Sequence, residues 1–446
     1  MAEVFKKPTR MSIQQGRERS FASGKEPLGG AIILLVIYLI LDYGRPVNPL
    51  GMPLMISVVL FFWWLTLKDK VWAPQVYCFY LLLAVIAVMG PFAVNNFSVW
   101  IGFQSMVAWL ACVAVPLMTF ASSLRKIRVL FNTLILLHCY LSGYAVLHSG
   151  FGPGGHVGDE NDVALSINVT IALAFCASLA ARTMRGKVCY LLACVVMIVG
   201  VVATNSRGGF LGLVAVLLYC FIFSPRKKLG LVLGGVLVLG GLFFIPGSYW
   251  EEMSTISRDA ADENIGTGAH RKHLWDTATN MFLAHPLFGV GLGNFQWNAG
   301  EYMSEELREK EGRSYAGTVA HSVYFTILAE TGMAGVLVVG AIVYFSVRSL
   351  RRTLQLASKI DRGTITEESR ADVLEVRAMA YGLGGGMIGF GVSGVFLTAF
   401  MYPHFWYLTA FIVTVMKVTE RLQVNEETIP MEMGRRRPRV LRTVSM

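Results

Sequence analysis

Long apolar runs alternate with short polar connections along most of this chain, and the runs lie near 28–43, 51–67, 73–94, 99–124, 129–148, 163–181, 187–203, 208–223, 229–245, 321–347, 379–400 and 403–420. A helix rises about 1.5 Å per residue, so about 20 apolar residues cross a hydrocarbon core of about 30 Å. Lipid offers the backbone no hydrogen-bond partner, so each run is predicted to be helical. The pattern predicts an all-α polytopic membrane protein with about twelve transmembrane helices. Its expected divisions are an N-terminal tail (1–27), spans 1–9 (28–245), one long polar loop (246–320), spans 10–12 (321–420) and a basic tail (421–446).

The distribution of positive charge sharpens this picture. Lys and Arg are disfavoured in translocated connections, so their placement records topology. The N-terminal tail and the connections at 68–70, 125–128, 182–187, 226–228, 348–377 and 417–442 together hold 31 of the 39 Lys and Arg. The other side keeps Arg45, Arg207, Arg258, Arg271, Lys272, Arg308, Lys310 and Arg313. This alternation requires an even number of spans, both termini in the cytoplasm and the long loop outside. The residues ahead of the first apolar run read as a retained tail, not a cleaved signal, because no small-residue cleavage site follows a short core. The tail after Gln423 is expected to be disordered against anionic headgroups.

With 54% hydrophobic and only 15% charged residues, the chain lacks the polar surface of a soluble protein of 446 residues. Its net charge of +10 follows from the membrane-side bias, and no nucleic acid partner is expected. All seven cysteines fall in apolar runs and read as packing residues.

Candidate chemistry concentrates at the outer ends of the spans. In Asn205-Ser206-Arg207-Gly208-Gly209, Ser206 or Asn205 can cap a helix whose free N–H groups face outward. The glycines let a ligand approach the backbone, and Arg207 adds a planar donor. That chemistry suits a pyrophosphate at membrane level; the bland alternative is an arginine snorkelling to the interface.

In the long loop, Leu274, Ala278, Met281 and Phe282 recur at helical spacing, which predicts an amphipathic helix over 269–284 lying on or near the bilayer. Arg271 and Trp275 share one side of it, so an interfacial Trp275 can hold Arg271, beside Lys272, at headgroup depth. The segment from His285 to Phe295 turns the chain, with His285 as a turn residue or a ligand contact. Its glycines do not make a dinucleotide motif, because no strand precedes them.

His321 stands at the mouth of the next span beside Ser322 and Tyr324. Its ordinary pKa of about 6.5 suits it to accept a proton from a sugar hydroxyl, although an interfacial histidine bonded to backbone would look the same in sequence. Glu330 lies nine residues on, on the opposite face of a continuous helix and about 13 Å deeper, and so reads as a buried structural partner. Three carboxylates and His156 cluster in Gly154-Gly155-His156-Val157-Gly158-Asp159-Glu160-Asn161-Asp162. They suit either a divalent metal, or a helix cap at Asp162 with contacts from Asp159 and Asp162 to sugar hydroxyls; the spacing is not that of a calcium loop, and the second reading is preferred.

Taken in order, Asn205 to Gly209, Arg271 with Trp275, His285-Pro286-Leu287-Phe288-Gly289-Val290-Gly291, and His321 with Ala329-Glu330-Thr331-Gly332 resemble the bacterial O-antigen ligase family, over about residues 150–345. The resemblance implies glycan transfer at the periplasmic face of the inner membrane, from an undecaprenyl pyrophosphate carrier to the lipid A-core. It implies that Arg207 and Arg271 hold the pyrophosphate and that His321 deprotonates the attacking hydroxyl. Ser206, Gly208, Lys272, Trp275, Asp159, Asp162, His285 and Tyr324 would line the substrate site, with no cofactor and no metal. A polymerase of the same superfamily is the near alternative. A lipid or polysaccharide transporter is the distant one, disfavoured because charged residues other than Glu330 are nearly absent from the span interiors.

Overall fold

The computed structural model describes residues 27–46, 51–223, 227, 267–305, 308–309, 315–363 and 367–435. The candidate span 229–245, the loop residues 246–266, nearly all of the N-terminal tail and residues 436–446 lie outside the described residues. The described elements are helices: α1 (Gly30–Gly44), α2 (Met52–Thr66), α3 (Pro74–Met89), α4 (Asn96–Phe120), α5 (Leu124–Leu147), α6 (Glu160–Ala180), α7 (Met184–Ala203), α8 (Arg207–Phe223), α9 (Thr267–Ala284), α10 (Phe295–Tyr302), α11 (Val323–Arg362), α12 (Glu367–Ser393) and α13 (Pro403–Arg435). Among the described residues, seven helices are long and apolar enough to cross a membrane, and α1, α2 and α8 are shorter apolar helices. Among the described residues, every apolar run read from the sequence is a helix.

Apolar residues on every face make α13 the axis of the bundle. Phe405, Trp406, Leu408, Phe411, Ile412 and Val415 are all buried, as a helix without a polar face must be. The tail expected to be disordered after Gln423 instead continues as helix to Arg435. A helix already nucleated in the core propagates outward with no new nucleation cost.

One end of the bundle is stitched by charge. Arg128 pairs with Glu375 across α5 and α12, Arg182 with Asp372 at 2.7 Å, Arg377 with Asp361 at 3.1 Å, and Arg352 with Glu420 at 2.7 Å. These cations come from connections that the charge count put on one side. At the opposite end gather the C-terminus of α1, the N-termini of α6, α8 and α13, and α9 and α10 with the segment 315–322.

The long helix α11 is broken, which the sequence did not predict. Gly332 has φ 60° and ψ −161°, a conformation essentially confined to glycine. The break frees backbone groups, and the turn from His285 to Gly291 fills it. Met333 and Ala334 donate to the carbonyls of Pro286 and Leu287 at 2.8 and 3.0 Å, while Val290 and Gly291 donate to those of Ala329 and Glu330 at 2.9 and 3.0 Å. The chains approach so closely that a Cβ on Gly289 would lie 2.4 Å from the Ala329 carbonyl oxygen. The two glycine-bearing motifs are therefore halves of one joint. Glu330 completes it: its Oε2 accepts from Gly293 N at 2.8 Å and its Oε1 from Phe295 N at 3.1 Å, capping α10. A buried carboxylate with both oxygens satisfied by backbone donors has a structural task in this fold.

Candidate functional site

Three chain segments meet at the unstitched end. Ser206 caps α8: its Oγ accepts from Gly209 N at 2.9 Å and donates to Asn161 Oδ1 at 2.6 Å, joining the first turns of α8 and α6. Arg207 is thereby fixed as the first residue of α8, next to the free amides of the helix N-terminus. Asn205, just before it, has φ 52°. The following glycines serve packing, a use the sequence reading did not foresee. A Cβ on Gly209 would lie 2.3 Å from Ala164 Cβ, and one on Gly208 would lie 3.0 Å from Phe396 Cβ. Gly208 is buried against that ring, so its bareness admits a neighbouring side chain, not a ligand.

Phe396 is the hinge of the site. It belongs to the short helical turn Gly394–Phe396 that follows α12, and Arg271 of α9 lies over its ring, with Cζ 5.7 Å from the centroid. One face of the α12 terminus therefore takes the Gly208 backbone and the Phe396 ring carries the Arg271 guanidinium. Ser206→Ala is expected to lower stability by about 1 kcal/mol through loss of the cap, and by more if Asn161 is left unsatisfied. Thermal unfolding of the purified protein checks this.

The apolar stripe of α9, expected to face the bilayer, faces protein. Leu274, Ala278 and Met281 are buried against Val290, Phe295, Ala299, Tyr315 and Ala320, so the loop's own core consumes the apolar stripe. Trp275 likewise is not a headgroup anchor. Its ring stacks on Phe325 at 5.0 Å and its Nε1 donates to the Ala320 carbonyl at 3.1 Å. That bond fixes the residue immediately before His321.

His321 has φ 46° and directly precedes Ser322, the N-cap of α11. A left-handed histidine is uncommon and is held here by its neighbours on both sides. It is half-buried, and burial is the main cause lowering its pKa; the charges of Arg271 and His270 lower it further, while Asp159 acts in the opposite sense. The imidazole is thus set to be neutral near pH 7, within electrostatic range of Arg271, His270 and the Asp159 carboxylate. His270 was not singled out from the sequence, although it adjoins Arg271.

Asp159, not Asp162, is the N-cap of α6. The two form a capping box in which Asp162 Oδ2 faces Asp159 N at 3.4 Å. The helix begins three residues earlier than its apolar stretch, so the cap moves with it. Asp162 is buried and hydrogen-bonded to Tyr402, whereas Asp159 is exposed. Lys272 is exposed on α9. Tyr324 donates its hydroxyl to the Gly391 carbonyl at 2.8 Å, fastening α11 to α12.

His285 is not brought to this site. It follows α9 at the end opposite Arg271, about 20 Å along the helix, and its Nε2 is 2.8 Å from the Tyr302 hydroxyl. The arrangement at the Arg271 end brings together the Arg271 guanidinium, the positive N-terminal end of α8 that carries Arg207, and a neutral imidazole. Such a set can hold a doubly charged phosphate group and receive one proton.

Residues 192–340 match the family model described as O-antigen ligase. This stretch belongs to the O-antigen ligase family. The ligase domain includes Arg207, Arg271, Trp275, His321 and both halves of the glycine joint, whereas Asp159 and Asp162 lie ahead of it. No curated protein matched the chain. What the family implies is a glycosyltransferase-like enzyme of the ligase and polymerase superfamily, with lipid-linked glycan and lipid acceptor substrates in general. Phe396 and Tyr402, which the sequence reading passed over, follow the ligase domain and carry no motif; only their contacts single them out.

Proposed function

We propose that the protein is an O-antigen ligase that transfers a glycan from undecaprenyl pyrophosphate to a sugar hydroxyl of the lipid A-core. The reaction would take place at the periplasmic face of the bacterial inner membrane. The observation that carries this reading is that Arg271 and the turn bearing Arg207 both pack against Phe396, with His321 within electrostatic range of Arg271. Arg207 and Arg271 hold the pyrophosphate, and Arg271 is oriented by its ring support. His321 takes the proton of the acceptor hydroxyl as its oxygen bonds to the anomeric carbon. The bond from that carbon to the pyrophosphate oxygen breaks, and undecaprenyl pyrophosphate departs with the electron pair. Attack opposite the leaving group inverts the anomeric centre. The arginines and the α8 amides neutralise the departing charge, so the step needs neither nucleotide nor metal. Asp159 and Lys272, both exposed at this end, are assigned to the sugar substituents.

The test is reconstitution. Purified protein in vesicles with undecaprenyl-pyrophosphate-linked glycan and lipid A-core, without nucleotide and with EDTA, is expected to yield capped lipopolysaccharide. Lengthened lipid-linked glycan with no capped product would replace this reading with polymerase activity. Formation of neither product would remove transfer altogether.

A further inference from the structure

Arg45 is one of the few basic residues at the outer end that the transfer step does not use. It follows α1 with φ 46° and reaches across to the connection between α5 and α6. Its guanidinium donates to His156 Nδ1, and Asp42 Oδ1 lies 3.9 Å from the same nitrogen group. Asp42 Oδ2 is 3.9 Å from His156 Nε2. Gly155, at φ 61°, is bare because a Cβ there would lie 2.5 Å from Arg45 Cζ. Arg45 therefore lies against the backbone of a turn as well as bonding its side chain.

That turn is closed at its base. Gly152 N donates to the Gly158 carbonyl at 3.0 Å, and a Cβ on Gly152 would meet the Val157 oxygen at 1.9 Å. Val157 and His156 are buried, and the His156 ring is enclosed by His404, Tyr43, Trp109 and Tyr402 at 5.3 to 6.2 Å between centroids. The residue after the turn is Asp159. The pinned turn thus delivers the chain to the N-cap of α6, and the carboxylate it carries there bears on the candidate base.

We propose that Arg45 and His156 are positioning residues that clamp the 152–158 turn and so hold Asp159 beside His321. The inference rests on the ligase reading, because it takes His321 as the base. The groups whose charge bears on His321 are Arg271 and His270 of α9 and Asp159 at the head of α6. Asp159 alone among them favours the protonated ring. Burial, then His404 and Arg45, hold the His156 pKa well below its ordinary value.

The experiment is the initial rate of capped-lipopolysaccharide formation against pH, using the full-length protein with undecaprenyl-pyrophosphate-linked glycan and lipid A-core. Transfer needs neutral His321, so the acid limb follows the His321 pKa. Asp159→Asn keeps a good helix cap but removes the charge, and is expected to move the limb down by about one unit. Arg45→Ala and His156→Asn are expected to move it in the same direction, and Arg45→Ala with Asp159→Asn no further than Asp159→Asn alone. A merely structural role would reduce active protein without moving the limb. If Asp159→Asn moves the limb while Arg45→Ala and His156→Asn leave it in place, the clamp is refuted. An unmoved limb in Asp159→Asn also overturns the proposal. Both results leave the ligase reading intact, which falls only if the wild-type protein forms no capped product.

Discussion

Arg271→Ala is expected to slow glycan transfer by about 10² to 10³-fold with little change in folding, because a donor aimed at developing charge acts mainly in the transition state. Arg271→Lys should recover only a minor part. The guanidinium lies over Phe396, and a flexible ammonium loses both that planar support and the forked pair of donors. Arg207→Ala should show a loss of similar size. His321→Ala should lower transfer by about 10² to 10⁴-fold, the range of a general base. For the wild type, burial and then Arg271 hold the His321 pKa below its ordinary value. A base works when unprotonated, so the rate should rise with pH through a limb below about 6.5 and be level near pH 7. Steady-state rates in the reconstituted assay check all four variants. Full activity in any one would remove that residue from the site.

Gly332→Ala is expected to cost about 3 kcal/mol of stability. A Cβ at this position would stand 2.6 Å from Gly289 N and 2.7 Å from the Leu287 carbonyl carbon, both backbone atoms that cannot swing aside. Strain in a glycine-only conformation contributes about 1 to 3 kcal/mol, and forced displacement of packed backbone adds a similar amount. Gly340→Ala is the matched control on the same helix, since nothing lies within 4 Å of its Cβ position. It should be neutral or slightly stabilising. Unfolding midpoints in one detergent compare the two, and a Gly332→Ala midpoint equal to the wild type would refute the joint as a rigid contact. The joint matters to the site because it sets the angle of the first turns of α11, which begin one residue after His321.

The family was legible from the order of short motifs, yet several residues in them do different work from that read in sequence. Gly208 and Gly209 resemble a ligand-approach loop, but they are bare because Phe396 and Ala164 press against them. Trp275 at helical spacing from Arg271 suggests an interfacial anchor, but it braces Ala320. In each case the chemical type was visible, while the partner came from a segment distant in the chain.

By itself, the sequence determined the class of fold, because hydrophobic runs of bilayer length have only one way to satisfy their backbone, and a helix is local. It also narrowed the candidates for the chemistry, since cations, imidazoles and carboxylates are few at the outer ends of the spans. Only the tertiary structure decided that α9 spends its apolar face on the protein, that α11 breaks at Gly332 to receive the His285–Gly291 turn, and that Phe396 unites the arginine segments. These outcomes depend on contacts between residues far apart in sequence, whose free energy no local pattern of hydrophobic and polar positions records.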